Sequence, residues 1–98
     1  MNKLTEQIKN KIKDNRDFLE KEYKIKQIGI FGSTVRGDAR KDSDVDVVVD
    51  FSEPMGFFKF IRLEGYLSSI LSKRVDLISK KALKPIIKDD ILKEVEYV

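Results

Sequence analysis

The stretch from Lys26 to Phe51 reads KQIGIFGSTVRGDARKDSDVDVVVDF, and its alternation of apolar and polar segments organises the rest of the chain. Ile28, Ile30 and Phe31 form an apolar run that delivers the backbone to Gly32-Ser33. A polar loop carrying Arg36, Gly37, Asp38, Arg40 and Lys41 follows. A second apolar run, Val45, Val47, Val48, Val49 and Phe51, begins with two aspartates two residues apart, Asp44 and Asp46. Strand side chains alternate between faces, so residues i and i+2 share a side, roughly 6.5–7 Å apart at Cα. Paired carboxylates aimed one way suit Mg2+, which takes oxygen ligands, keeps several waters and is commonly shared with substrate phosphates. The Gly-Ser turn supplies a complementary half. Glycine lets backbone N–H groups approach a phosphate, and a helix starting at Ser33 points its positive end at it. Metal on one strand and phosphate on the neighbouring turn is nucleotide chemistry.

Composition narrows the chemistry further. Ninety-eight residues are expected to make one domain, 1–98, with a core that needs no staples. Cysteine and histidine are both absent, which removes disulfides, thiolate zinc sites, cysteine nucleophiles and imidazole bases together. A metal site in this chain has only carboxylates and carbonyls to draw on, and these select Mg2+ or Mn2+. No apolar run approaches the ~18 residues of a membrane span, and the N-terminus lacks the apolar core of a signal peptide. A cytoplasmic protein is expected. The net charge of +3 is modest and the lysines are scattered, so no direct nucleic-acid surface is expected.

Reading from the N-terminus, residues 2 to about 22 predict one amphipathic helix, with Leu4, Ile8, Ile12, Leu19 and Tyr23 on a common face. Ile25 to Phe31 is a first strand, apolar enough to be buried on both faces. Ser33 to Arg36 starts a short helix that Gly37 ends, and Val45 to Phe51 is the second strand. Phe57 to Ser72 predicts a helix with Phe57, Phe60, Ile61, Leu67, Ile70 and Leu71 as its apolar set. The cluster Phe57, Phe58 and Phe60 is expected in the core rather than as a base-stacking surface. Val75 to Ile78 is a third strand, and Pro85 opens a last helix through about Lys93. The tail from Glu94 alternates too weakly to assign. Helices and strands in this order give an α/β (α+β) class, a small mixed sheet with helices packed against it.

The competing readings of the acids are specific. Asp42, Asp44, Asp46 and Glu53 occupy the first, third, fifth and twelfth positions of an EF-hand loop. That loop needs glycine at its sixth position. Val47 stands there instead, and positive φ is a genuine outlier for a β-branched residue. Two solvated acids at a strand end are the remaining alternative for Asp44 and Asp46. Asp76, between Val75 and Leu77, would be costly if buried without a partner, so a metal shared with Asp44 and Asp46, or else Arg74 or a nearby lysine, is expected to satisfy it. Arg36 reads as a phosphate fork, since a guanidinium matches phosphate oxygens in pairs, or as a plain surface arginine.

Gly32-Ser33, ten residues, then Asp44-Val45-Asp46 resembles the signature of the DNA polymerase β-type nucleotidyltransferases. The likeness extends to Arg36-Gly37-Asp38, Ser43 and Arg74-Val75-Asp76-Leu77. In a chain this short it resembles the minimal nucleotidyltransferases that act as antitoxins beside HEPN-domain toxins. The resemblance implies a polymerase β-like fold, with Asp44, Asp46 and Asp76 as catalytic residues and metal ligands. It also implies that Gly32, Ser33 and Arg36 bind the nucleotide, and that ATP is the substrate, with Mg2+ or Mn2+ as cofactor. The implied reaction moves AMP to a hydroxyl, a tyrosine of a HEPN-type RNase toxin, and so silences it. Larger relatives carry an acceptor-binding domain for which this chain leaves no residues, so the acceptor is expected on another protein. A non-catalytic antitoxin that neutralises by binding is the alternative, as is transfer to an RNA end or a small molecule. A homodimer and a hetero-oligomer with the toxin both remain open.

Overall fold

The computed structural model describes residues 2–98, which form four strands and five α-helices with one 3-10 turn. The strands are β1 (Ile25–Phe31), β2 (Val45–Phe51), β3 (Val75–Ser79) and β4 (Glu96–Tyr97), in the spatial order β3-β2-β1-β4. β1 runs antiparallel to both β2 and β4, while β2 and β3 are parallel. The sheet is therefore mixed, as expected. A parallel pair cannot be closed by a hairpin, and α4 (Phe57–Leu71) is the crossover between β2 and β3.

The N-terminal amphipathic segment is two helices, not one: α1 (Lys3–Asp14) and α2 (Arg16–Tyr23). Asn15 makes the break. Its φ of -106° and ψ of 11° leave the helical region, its amide donates to the Lys11 carbonyl at 2.8 Å, and its side-chain oxygen accepts from Tyr66 Oη at 2.8 Å. A short side chain that can bond its own backbone competes with the helix in this way. The predicted face survives because the break falls inside the seven-residue gap between Ile12 and Leu19. Ile8, Ile12, Leu19 and Tyr23 are all buried, and Leu4 packs against them half-buried.

The main core joins α1, α2 and α4 to one face of the sheet, through Ile28, Ile30, Val45, Val47, Val49, Val75 and Leu77. In α4 the buried positions are Leu63, Leu67 and Leu71, spaced at i, i+4 and i+8. This corrects the aromatic reading. Phe57 and Phe58 are 71% and 78% exposed, and of the three rings only Phe60 turns inward, edge-on to Phe51 at 6.3 Å. The helical phase set by the leucines reaches Phe60 and passes by its neighbours. The other face of the sheet carries a smaller cluster of Phe31, Val48 and Leu83, closed by Ile78, Ile91, Leu92 and Val95. That cluster holds α5 (Pro85–Glu94), whose residues all keep some exposure. The unassigned tail pairs as β4 beside β1. Gly29 permits it, since a Cβ there would lie 2.5 Å from Val95 Cγ1 and 3.2 Å from the Glu96 carbonyl.

Candidate active site

Register brings the acids together. In the parallel pair Asp46 lies opposite Asp76, and in the antiparallel pair Phe31 lies opposite Asp46. Paired residues on neighbouring strands share a face, so the Asp46 and Asp76 carboxylates stand side by side. They occupy the face opposite Val47 and Leu77, with Asp44 two residues ahead of Asp46 at the threshold of β2. Asp44 and Asp76 are exposed and Asp46 is half-buried. The expectation that Asp76 would be a buried acid in need of a partner is not met. β3 is an edge strand, and its alternation turns Val75 and Leu77 into the core and Asp76 out of it. Arg74 Nε pairs instead with Asp44 Oδ1 at 3.3 Å.

Electrostatics records the same grouping. Partial burial, then the negative charges of Asp76 and Asp44, and more weakly that of Glu94, raise the Asp46 carboxyl above its ordinary value, with Arg36 opposing. Three acids and one arginine therefore act on Asp46.

Gly32 ties the phosphate half to the acid half. Its φ of 78° lies where glycine alone is comfortable, and a Cβ there would overlap the Asp46 carboxylate. The turn must be glycine for both reasons. Behind it, α3 (Ser33–Arg36) ends at Gly37, in the left-handed region at φ 84°. Asn2 caps α1 by accepting from the Thr5 N–H at 2.8 Å, and donates to the Thr34 carbonyl at 2.8 Å. The buried Thr5 hydroxyl donates to the same carbonyl at 3.0 Å. The N-terminal helix thus anchors the Gly-Ser turn from beneath. Ser33 is half-buried and Arg36 exposed.

Two contributors were not foreseen. Glu94, the last residue of α5, accepts the Gly32 N–H at 2.8 Å through Oε1. Arg36 Nη1 reaches the same carboxylate at 3.3 and 3.4 Å, and Arg36 Nε lies 3.7 Å from Asp38 Oδ2. The Asn2 and Thr5 anchor is the other. Both join residues about thirty to sixty positions apart, and no local spacing marks them.

Whether these residues suit a divalent ion is a matter of donor chemistry. The donors are carboxylate oxygens alone, which is what Mg2+ and Mn2+ prefer. Among the described residues no three acids form a ready-made cage. An ion that keeps waters and shares phosphate oxygens needs no such cage, and an open row whose mutual repulsion already strains Asp46 fits it.

A mixed sheet with a glycine turn beside a row of strand-end aspartates defines the nucleotidyltransferase class. The family model for the nucleotidyltransferase domain matches residues 10–98, and the chain belongs to that family. It is 45% identical over 93 residues to protein adenylyltransferase MntA of Thermococcus cleftensis, covering 95% of this chain and 94% of the relative. Among solved structures it is similar to a minimal nucleotidyltransferase, with a TM-score of 0.73, 31% identity and coverage of 89% and 92% of the two chains. A toxin–antitoxin structure with AMP-PNP superposes with a TM-score of 0.74 at 23% identity, over 91% of this chain and 70% of that one. A complex of a tri-AMPylated Shewanella oneidensis HEPN toxin with its MNT antitoxin gives a TM-score of 0.69 at 21% identity. It covers 95% of this chain and 70% of the other. The last two likenesses show the fold.

Proposed function

We propose that this chain transfers AMP from ATP, with Mg2+, to a tyrosine hydroxyl of a HEPN-type RNase toxin in the cytoplasm, and that it acts as the toxin's antitoxin. The observation that carries the reading is the Asp46–Asp76 row, with Asp44 ahead of it and the Gly32 turn packed against Asp46. The names of the relatives support the donor and the kind of partner. We take residues 1–98 as one nucleotidyltransferase domain, in which Asp44, Asp46 and Asp76 hold the ion. Once bound, the ion neutralises triphosphate charge and draws electrons from the α-phosphorus. Ser33, the Gly32 backbone and Arg36 hold the β- and γ-phosphates and fix the α-phosphorus in line with the acceptor. The acceptor oxygen forms its bond to that phosphorus, the bond to the bridging oxygen breaks, and pyrophosphate leaves. Asp76, exposed at the edge strand, takes the acceptor's proton. An open row of this kind suits an acceptor carried on another protein.

The test incubates the HEPN-type partner with MgATP and excess protein, then reads the partner's intact mass beside its RNase activity. Wild type is expected to add AMP and silence the partner. The double variant Asp44→Asn/Asp46→Asn, and Asp76→Asn alone, are expected to bind the partner and leave it unmodified and active. A partner silenced without any mass change by Asp76→Asn would establish the blocking antitoxin instead.

A further inference from the structure

We propose that Glu94 is a built-in competitor for the phosphate subsite, holding with its own carboxylate the donors that a nucleotide's triphosphate takes. The inference rests on the reading of the Gly32–Arg36 turn as phosphate-binding. Two donors of different origin converge on this one group, the Gly32 N–H at 2.8 Å and the Arg36 guanidinium at 3.3 and 3.4 Å. A backbone N–H beside a guanidinium is the pairing that binds an oxyanion, and carboxylate and phosphate oxygens are interchangeable acceptors for it. Glu94 cannot keep both donors while a triphosphate uses them, and two like charges at one pair of donors repel.

The element that delivers Glu94 is lightly held. Each residue of α5 keeps some exposure, Ile86 is 86% exposed, and the helix attaches through Ile91, Leu92 and the following Val95. A segment with few buried contacts opens at low free-energy cost. In the free protein the carboxylate keeps Arg36 aligned and neutralised. On binding, it is exchanged for the phosphates.

The alternative role, a plain strut between α5 and the turn, predicts the opposite sign. If Glu94 only supports Arg36, removing its charge loosens the nucleotide. If it competes, removing its charge tightens it. Isothermal titration of MgATP, and separately of inorganic tripolyphosphate, into wild type and Glu94→Gln decides between them, with circular dichroism to establish folding. The competitor predicts a Kd lower by roughly fivefold or more in Glu94→Gln for both ligands. An equal or higher Kd, with wild type binding, overturns the competitor alone. No binding by either protein overturns the phosphate reading itself and the competitor with it. If Glu94→Gln fails to fold, hydrogen exchange of the α5 amides in wild type gives the answer. Displacement makes those amides exchange faster when MgATP saturates the protein, and unchanged or slower exchange overturns the proposal.

Discussion

On the face of the sheet under α1, α2 and α4, Ile12, Ile28, Ile30, Val47, Leu63 and Leu67 are 1% exposed or less. The opposite face carries a smaller buried cluster, Phe31, Val48 and Leu83, under a helix that stays partly in water, and the same face ends in Asp44, Asp46 and Asp76. Both faces belong to the same strands. β2 alternates between them, sending Val45, Val47, Val49 and Phe51 to one side and Asp46, Val48 and Asp50 to the other. One face binds the fold together and the other carries the proposed site. The lesson is that a chain this small can carry an electrostatically unfavourable site because a dense core stands directly behind it.

The largest effect expected from this contrast is on stability. Leu67→Ala deletes a fully buried side chain where α4 meets the sheet, and the loss is expected to be about 2–5 kcal/mol. In a domain of this size each kilocalorie moves Tm by roughly 4–8 °C, so the melt should fall far enough to see without refinement. Leu92→Ala, on the half-buried side of α5, is expected to cost clearly less. Equal losses, measured by thermal or urea melts of the two variants, would break the contrast between the faces.

The dense face was largely legible in the sequence. Ile8, Ile12, Leu19, Tyr23, Leu67 and Leu71 follow from helical spacing, and β1 to β3 from apolar runs bounded by turns. The acid row was legible too, because Asp44-Val45-Asp46 and Asp76 sit in strand context and parallel pairing then aligns two of them. What escaped was set by contacts distant in the chain. The Asn15 side chain is held at the break by Tyr66, fifty-one residues away, as well as by its own bond to Lys11, and the Glu94 contact depends on the return of α5 to the end of β1. β4 escaped because two residues carry too little pattern to be seen alone. The burial of Asp76 was misread because a sequence does not say which strand lies at an edge.

A smaller effect follows from the charge on the open face. The Asp46 carboxyl is raised above its usual 3.8 by partial burial first and by Asp76 and Asp44 next. A raised native value means that the folded protein binds this proton more tightly than the unfolded chain. Stability contributed by the protonated group is therefore present at low pH and declines as pH climbs from the ordinary value through the raised one. Asp46→Asn keeps the shape and removes the charge. In metal-free buffer its Tm is expected to exceed that of wild type near neutrality and to converge with it below the ordinary carboxylate range. Melts of both proteins across that range check the sign. A variant less stable than wild type at neutral pH would mean that Asp46 is held by favourable partners rather than strained.

The smallest effect is expected where the sequence promised a large one. Phe57 and Phe58 read as core because three aromatics fall within four residues at the start of α4. The buried side of that helix is instead fixed by Leu63, Leu67 and Leu71. Three residues back from Leu63 lies Phe60, whereas Phe58 falls on the opposite side and Phe57, the first residue of the helix, stays exposed at its end. The two outer rings contact each other, with centroids 5.5 Å apart in an edge-on arrangement, and are otherwise more than two-thirds exposed. Replacing rings that remain wet in the folded state removes little buried area. Phe57→Ser/Phe58→Ser is accordingly expected to lie within about 0.5 kcal/mol of wild type, the usual range for surface substitutions away from caps and buried networks. Chemical denaturation resolves that difference from the loss expected for Leu67→Ala. A drop in midpoint approaching that of Leu67→Ala would return both rings to the core and give the second face of α4 a structural burden that its exposure denies.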